Sequence, residues 1–182
     1  LGKLDSIAGD GDHGIGMANG SKAAAQAARA IAEQGAGVAT TLSAAGDAWS
    51  DRAGGTSGAL WGSLLTAIGS ALGNEDKPTL DAITDALIAG RDAVQRLGGA
   101  QVGDKTMVDA LVPLVDAFVS TDGNLKAKGE AAVAAGQAGV ESTAQLVARL
   151  GRARPLGEKS LGTPDPGAVS LVRVANVLVE QI

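Results

Sequence analysis

Apolar residues recur at steps of three and four along most of the chain. The last stretch carries the cleanest stripe: Ala168, Leu171, Val172, Ala175, Leu178, Val179 and Ile182 share one face of a helix. A second amphipathic helix runs from Asp81 through Ile83, Ala86, Leu87 and Val94 to Leu97, with Pro78 and Thr79 as its start signal. Strict alternation, the mark of a half-buried strand, is nearly absent. The pattern predicts seven helices, over about 14–34, 38–52, 57–72, 79–97, 106–121, 124–149 and 166–182. Gly136 and Gly139 interrupt the long Ala-rich helix and predict close packing there. The connections are short and rich in Gly, Pro, Asp and Asn, which implies antiparallel neighbours. No repeat and no linker divides the chain. The expectation is an all-α, up-and-down antiparallel bundle forming a single domain over 1–182.

Composition sharpens this picture. The 182 residues include 27 Gly but only 2% aromatics, so helices must pack by close backbone approach rather than by large side chains. The net charge of −5 and the lack of a Lys/Arg cluster argue against nucleic acid. There is no cysteine, which excludes disulfides and thiolate zinc sites and fits a cytoplasmic protein. Gly54 to Asn74 carries no charge. Its six glycines and several hydroxyl residues make it a buried central helix and not a membrane span. The chain opens at Leu1, almost on top of its first motif, so a preceding helical segment is expected to be missing.

The chemistry lies in the loops. In Leu4-Asp5-Ser6-Ile7-Ala8-Gly9-Asp10-Gly11-Asp12-His13-Gly14 three carboxylates fall within eight residues. A hard divalent cation takes oxygen ligands of this kind, and Mg²⁺ usually combines one or two carboxylates with substrate phosphates. One continuous helix would separate Asp10 from Asp5 and Asp12, so a loop brings the three together more easily. An Asx-rich turn capping the next helix is the structural alternative. His13, the single histidine, suits a base, a phosphate contact or a structural donor. Gly54-Gly55-Thr56-Ser57-Gly58 ahead of a helix suits an anion, or equally a plain Gly turn with a Ser/Thr cap. Gly98 to Thr106 imitates a phosphate loop with the wrong spacing. Lys105 or Asp109 could reach a phosphate or metal there, or simply open a helix. Arg152 could hold a phosphate, while Asp165 beside Pro164 and Pro166 is a good helix start.

Together these motifs resemble the nucleotide-binding domain of dihydroxyacetone kinases, the L subunit or its fused equivalent. Asp5, Gly9-Asp10-Gly11-Asp12-His13-Gly14, the Gly-Gly-Thr-Ser-Gly loop, Gly103-Asp104-Lys105-Thr106-Met107, Gly151-Arg152-Ala153, Leu156 to Ser160 and Asp165-Pro166-Gly167 occur in family order. The resemblance implies a barrel of eight antiparallel helices, the first truncated here, with the nucleotide at one end. It implies that Asp5, Asp10 and Asp12 coordinate two Mg²⁺ ions, and that ATP or tightly bound ADP is the cofactor. Nucleotide contacts are implied for His13, Gly14, Ile15, Gly16, Thr56, Ser57, Gly98, Met107, Arg152, Asp165, Pro166 and Gly167. With Asp5, Asp10 and Asp12, Arg152 is the implied catalytic set. Gly16 departs from a frequent Asn. The implied partner is a K subunit or fused K domain that holds a short ketose, with a phosphohistidine carrier protein as donor in some relatives. A fatty-acid kinase shares this domain but usually has Thr where His13 stands, and a nucleotide-sensing module without turnover is the non-enzymatic alternative.

Overall fold

The computed structural model describes residues 1–8, 11–75, 77–151 and 154–182. They form eight α-helices: α1 (Gly2–Ala8), α2 (His13–Ala32), α3 (Val38–Ala53), α4 (Gly55–Leu72), α5 (Leu80–Gly98), α6 (Val108–Ser120), α7 (Leu125–Thr143) and α8 (Pro166–Val179). Two short 3₁₀ turns over Arg154–Ser160 meet at Gly157. No strand occurs among the described residues. The chain divides into two compact units, residues 15–99 and residues 1–14 with 100–182.

In the unit of residues 15–99, glycines set the helix spacing. A Cβ at Gly46 of α3 would lie 2.7 Å from the Gly62 carbonyl of α4, and one at Gly69 would lie 2.8 Å from Leu42. Low residue numbers on α3 thus face high ones on α4, so the pair is antiparallel. The same holds for α4 and α5, where Gly90 meets Leu64 and Ile68 while Gly98 meets Leu60. The two tryptophans fill what the small residues leave. Trp49 and Trp61 stack with centroids 4.8 Å apart and planes 13° from parallel. Gly20 of α2 makes room for the Trp49 indole, since a Cβ there would lie 2.5 Å from its ring nitrogen.

In the other unit, α6, α7 and α8 are antiparallel in turn: Gly136 of α7 packs on Leu114 and Val172, and Gly129 on Val179. Pro113 sits inside α6 and has no N–H for the Asp109 carbonyl four residues back. That carbonyl lies against Gly139 of α7, where a side chain would collide with it.

Thr79, Asn124 and Asp165 cap α5, α7 and α8, each accepting the backbone N–H three residues on. These three starts agree with the sequence pattern. Two expectations are corrected. Residues 2–8 are helical, so Asp5 belongs to a helix and not to a loop. The helix expected over 124–149 stops at Thr143. Beyond it the backbone tightens to i→i−3 bonds, Gly162 N–H takes the Ala144 carbonyl at 2.8 Å, and Lys105 takes the Leu146 carbonyl at 3.0 Å. Tertiary donors win these carbonyls from the helix.

Candidate functional site

The densest polar cluster lies in the unit of residues 1–14 and 100–182, around the first turn of α2. Asp5 is buried at 7% exposure and accepts the His13 backbone N–H at 3.0 Å through Oδ2. A carboxylate at a helix N-terminus is favourable there. His13 Nε2 lies 3.1 Å from Ser170 Oγ on α8. The ring also bonds the backbone of Pro166, which has no N–H and can only accept. Burial lowers the His13 pKa, against the raising influence of Asp5 and then Asp12. Asp12 is exposed, one residue before α2. Gly14 packs on the start of α1, where a Cβ would lie 3.1 Å from the Gly2 nitrogen. Among the described residues no group of three His or acidic side chains is spaced to hold a metal. Asp10, the middle carboxylate of the motif, lies outside the described residues, as does Arg152.

Asp165 opens α8. Its Oδ2 accepts Ala168 N–H at 2.7 Å and its own N–H goes to Thr143 Oγ1 at 2.8 Å. Burial pushes its pKa up to about 7, with the negative charge of Asp109 adding to the rise and Lys105 opposing it. Pro166 is the first helical residue, and Gly167 packs on Met107, which is itself buried. Asp165, Pro166, Gly167 and Met107 thus form one corner, joined to His13 through Pro166 and Ser170.

The remaining candidates belong to the unit of residues 15–99 and converge on the start of α4. A Cβ at Gly16 would lie 3.2 Å from the Ala53 carbonyl at the end of α3. Gly54 then turns the chain with φ 66° and caps α4 without a side-chain bond. Thr56 and Ser57 stand exposed in the first turn, and the Ser/Thr cap that was the structural alternative is not formed. Gly98 ends α5 against Leu60, about one turn further along α4. Ile15 is exposed.

Lys105 and Asp109 do not reach outward for a ligand. Both are 2% exposed. Asp109 uses its two oxygens on Gly103 N–H at 2.6 Å and Thr106 N–H at 2.7 Å. Lys105 donates to three backbone carbonyls, so all its donors are taken. Ser170 and Thr143, which hold His13 and Asp165, were not singled out by sequence. The one signal was the Ser170 hydroxyl set between Val169 and Leu171; Thr143, beside Ser142, had none.

The all-helical fold is that of the matching part of a dihydroxyacetone kinase from C. freundii. Its native structure aligns over 100% of this chain and 31% of its own, with TM-score 0.73 and 31% identity. A second structure of that enzyme, in complex with AMP-PNP and Mg²⁺, aligns with TM-score 0.70 at the same identity over 100% of this chain and 30% of its own. The DAK2 domain matches residues 7–180, and the chain belongs to the DAK2 domain family. An L-erythrulose 1-kinase of Mycolicibacterium smegmatis is 52% identical over 100% of the chain, which spans 32% of that relative. The ADP-binding subunit DhaL of the PEP-dependent dihydroxyacetone kinase of Escherichia coli is 35% identical over 96% of the chain and 84% of the subunit. The chain therefore spans about a third of the length of the erythrulose kinases it matches. No helix among the described residues is long and apolar enough to cross a membrane.

Proposed function

We propose that residues 1–182 act as one nucleotide-binding domain of a kinase that transfers a phosphoryl group to a short ketose held by a separate or fused substrate domain. The observation that carries this reading is the fixed His13, tied to the Asp5 carboxylate through its backbone and to α8 through its ring. It sits in the family motif that resembles the metal and phosphate site. The donor chemistry, rather than a preformed cluster, suits Mg²⁺: Asp5 and Asp12 offer hard carboxylate oxygens on either side of the turn into α2, and Asp10 is the third carboxylate of the motif. When bound, Mg²⁺ would neutralise phosphate charge. His13 would present its ring to the phosphates from a position that Ser170 and Pro166 hold. Thr56 and Ser57 would offer hydroxyls beside the N-terminus of α4, which favours an anion. Arg152 would balance the remaining phosphate charge. Met107, Gly98 and the Asp165–Gly167 turn would contact the nucleoside.

The identity to three erythrulose kinases, at 52%, 48% and 46%, supports a four-carbon ketose as acceptor, with dihydroxyacetone as the three-carbon relative. Because the chain spans only 31–32% of these relatives, they also support a fused substrate domain, with ATP as the donor we propose for it. The subunit relatives, named as PEP-dependent and ADP-binding, favour a bound ADP as the alternative, which a phosphohistidine carrier would recharge. A cytoplasmic location follows from this metabolism. The test is titration calorimetry of Mg-ADP with the wild-type chain and Asp12→Asn, followed by a phosphoryl-transfer assay on erythrulose with a substrate domain supplied. Binding that vanishes in EDTA, weakens at least tenfold in the variant, and leads to transfer only with the substrate domain supports the reading. Equal nucleotide affinity with and without divalent metal overturns it.

A further inference from the structure

Lys105 is among the most completely buried side chains of the described residues, at 2% exposure. Its ammonium makes three hydrogen bonds, to the carbonyls of Leu146 at 3.0 Å, Ser160 at 2.6 Å and Thr163 at 2.8 Å. The partners lie towards both ends of the long connection between α7 and α8. The residue stands at φ 61°, the one non-glycine with positive φ among the described residues. A side chain held in this strained conformation persists only where its surroundings demand it. Asp109 supports the turn from below by accepting Gly103 and Thr106 N–H on either side of Lys105. Gly162 N–H ties the two ends of the connection together through the Ala144 carbonyl at 2.8 Å, and Arg149 N–H ties the connection to the Lys105 turn through the Asp104 carbonyl at 3.2 Å.

We propose that Lys105 is a positioning residue: its ammonium pins segments 144–149 and 154–165 so that the Asp165–Gly167 turn meets Met107 in the geometry the nucleotide requires. It never touches the nucleotide, because every donor is spent on a carbonyl. Burial lowers its pKa, while Asp165 and Asp109 hold it up. Its charge therefore serves the carbonyls and the neighbouring carboxylates. A methionine at this position keeps the length of the stem and removes only the charge and the three donors.

The inference rests on the nucleotide reading above, and its test separates the two. Amide hydrogen exchange is measured on the ligand-free wild type and on Lys105→Met, well below both melting temperatures, alongside Mg-ADP affinity. Exchange in 144–149 and 154–165 should accelerate at least tenfold while α3 and α4 keep wild-type protection, and the Kd for Mg-ADP should rise at least tenfold. Lys105→Arg keeps the charge but cannot aim one nitrogen at three carbonyls, so it should show the same local loosening. It also serves if the methionine variant does not fold. Uniform acceleration in every helix, or failure of both variants to fold, would make Lys105 a support of the whole fold and overturn the local role. Local loosening with unchanged Kd would overturn its link to the nucleotide. A wild type that binds no Mg-ADP would sink the nucleotide reading and this link with it, leaving the exchange data to decide the pinning alone.

Discussion

Asp165 carries two duties that one substitution separates. As a cap it needs an oxygen for Ala168 N–H, which Asn supplies about as well as Asp. As a carboxylate its pKa lies near 7 instead of 3.8 because burial disfavours the charge. The folded state therefore holds this proton where the unfolded chain has released it, so folding loses stability as pH rises from about 4 through 7. The urea midpoint of the wild type, relative to Asp165→Asn, should fall between about pH 5 and pH 8, leaving the variant the more stable of the two at the upper end. An unchanged difference across that range would show that the carboxylate is already ionised in the fold. Arg152 is predicted from its motif alone. Arg152→Ala should weaken Mg-nucleotide binding at least tenfold, about 1.4 kcal/mol, and leave the ligand-free melting temperature nearly unmoved. Early melting with normal binding, read by calorimetry, would make it structural. The histidine and carboxylate motif was legible because carboxylates and glycines crowd a short stretch. The grip of Ser170 on His13 was not, since a contact across 157 positions leaves no local trace.

Helix by helix, legibility follows the source of each boundary. The starts of α5, α7 and α8 are set by caps three residues away, and a local signal suffices. The end of α7 is set by Lys105 and Gly162, far along the chain, and propensity alone carried the expected helix six residues too far. Helix α1 was missed because its seven residues make only about two turns, too few to show a period. Gly136 and Gly139 were expected at a close contact, and they are. Gly139 faces the Asp109 carbonyl that Pro113 leaves without a helical donor. Gly139→Ala should therefore cost about 1–3 kcal/mol by overpacking, lowering the melting temperature by roughly 2–12 °C in differential scanning calorimetry. The helix-propensity gain of Ala, about 1 kcal/mol, works the other way. A variant more stable than the wild type would show that α7 can move off α6 at little cost.

For the molecule as a whole, ligand binding should register as stability. Mg-ADP at about a hundred times its Kd adds about 2.7 kcal/mol, or roughly 5–11 °C in melting temperature, and EDTA should abolish the shift. A rise of equal size in EDTA would contradict a metal-dependent site. The chain alone should not phosphorylate dihydroxyacetone or erythrulose, and turnover by the purified chain would refute the division between nucleotide and substrate domains. The order of the two units along the chain has a further consequence, for synthesis. Residues 15–99 are contiguous, whereas the other unit joins residues 1–14 to 100–182. The segment from 100 to 166, where α8 begins, takes the ribosome roughly 3 to 13 s at about 5–20 residues per second. Neighbouring helices meet within microseconds to milliseconds. The helices of residues 15–99 can thus pair while their sister unit is still being made, and the opening motif with Asp5 and His13 must wait for Ser170 to leave the ribosome. For that interval the stretch proposed to hold the metal is a nascent chain without its buttress, and it depends on late translation for the shape it will keep.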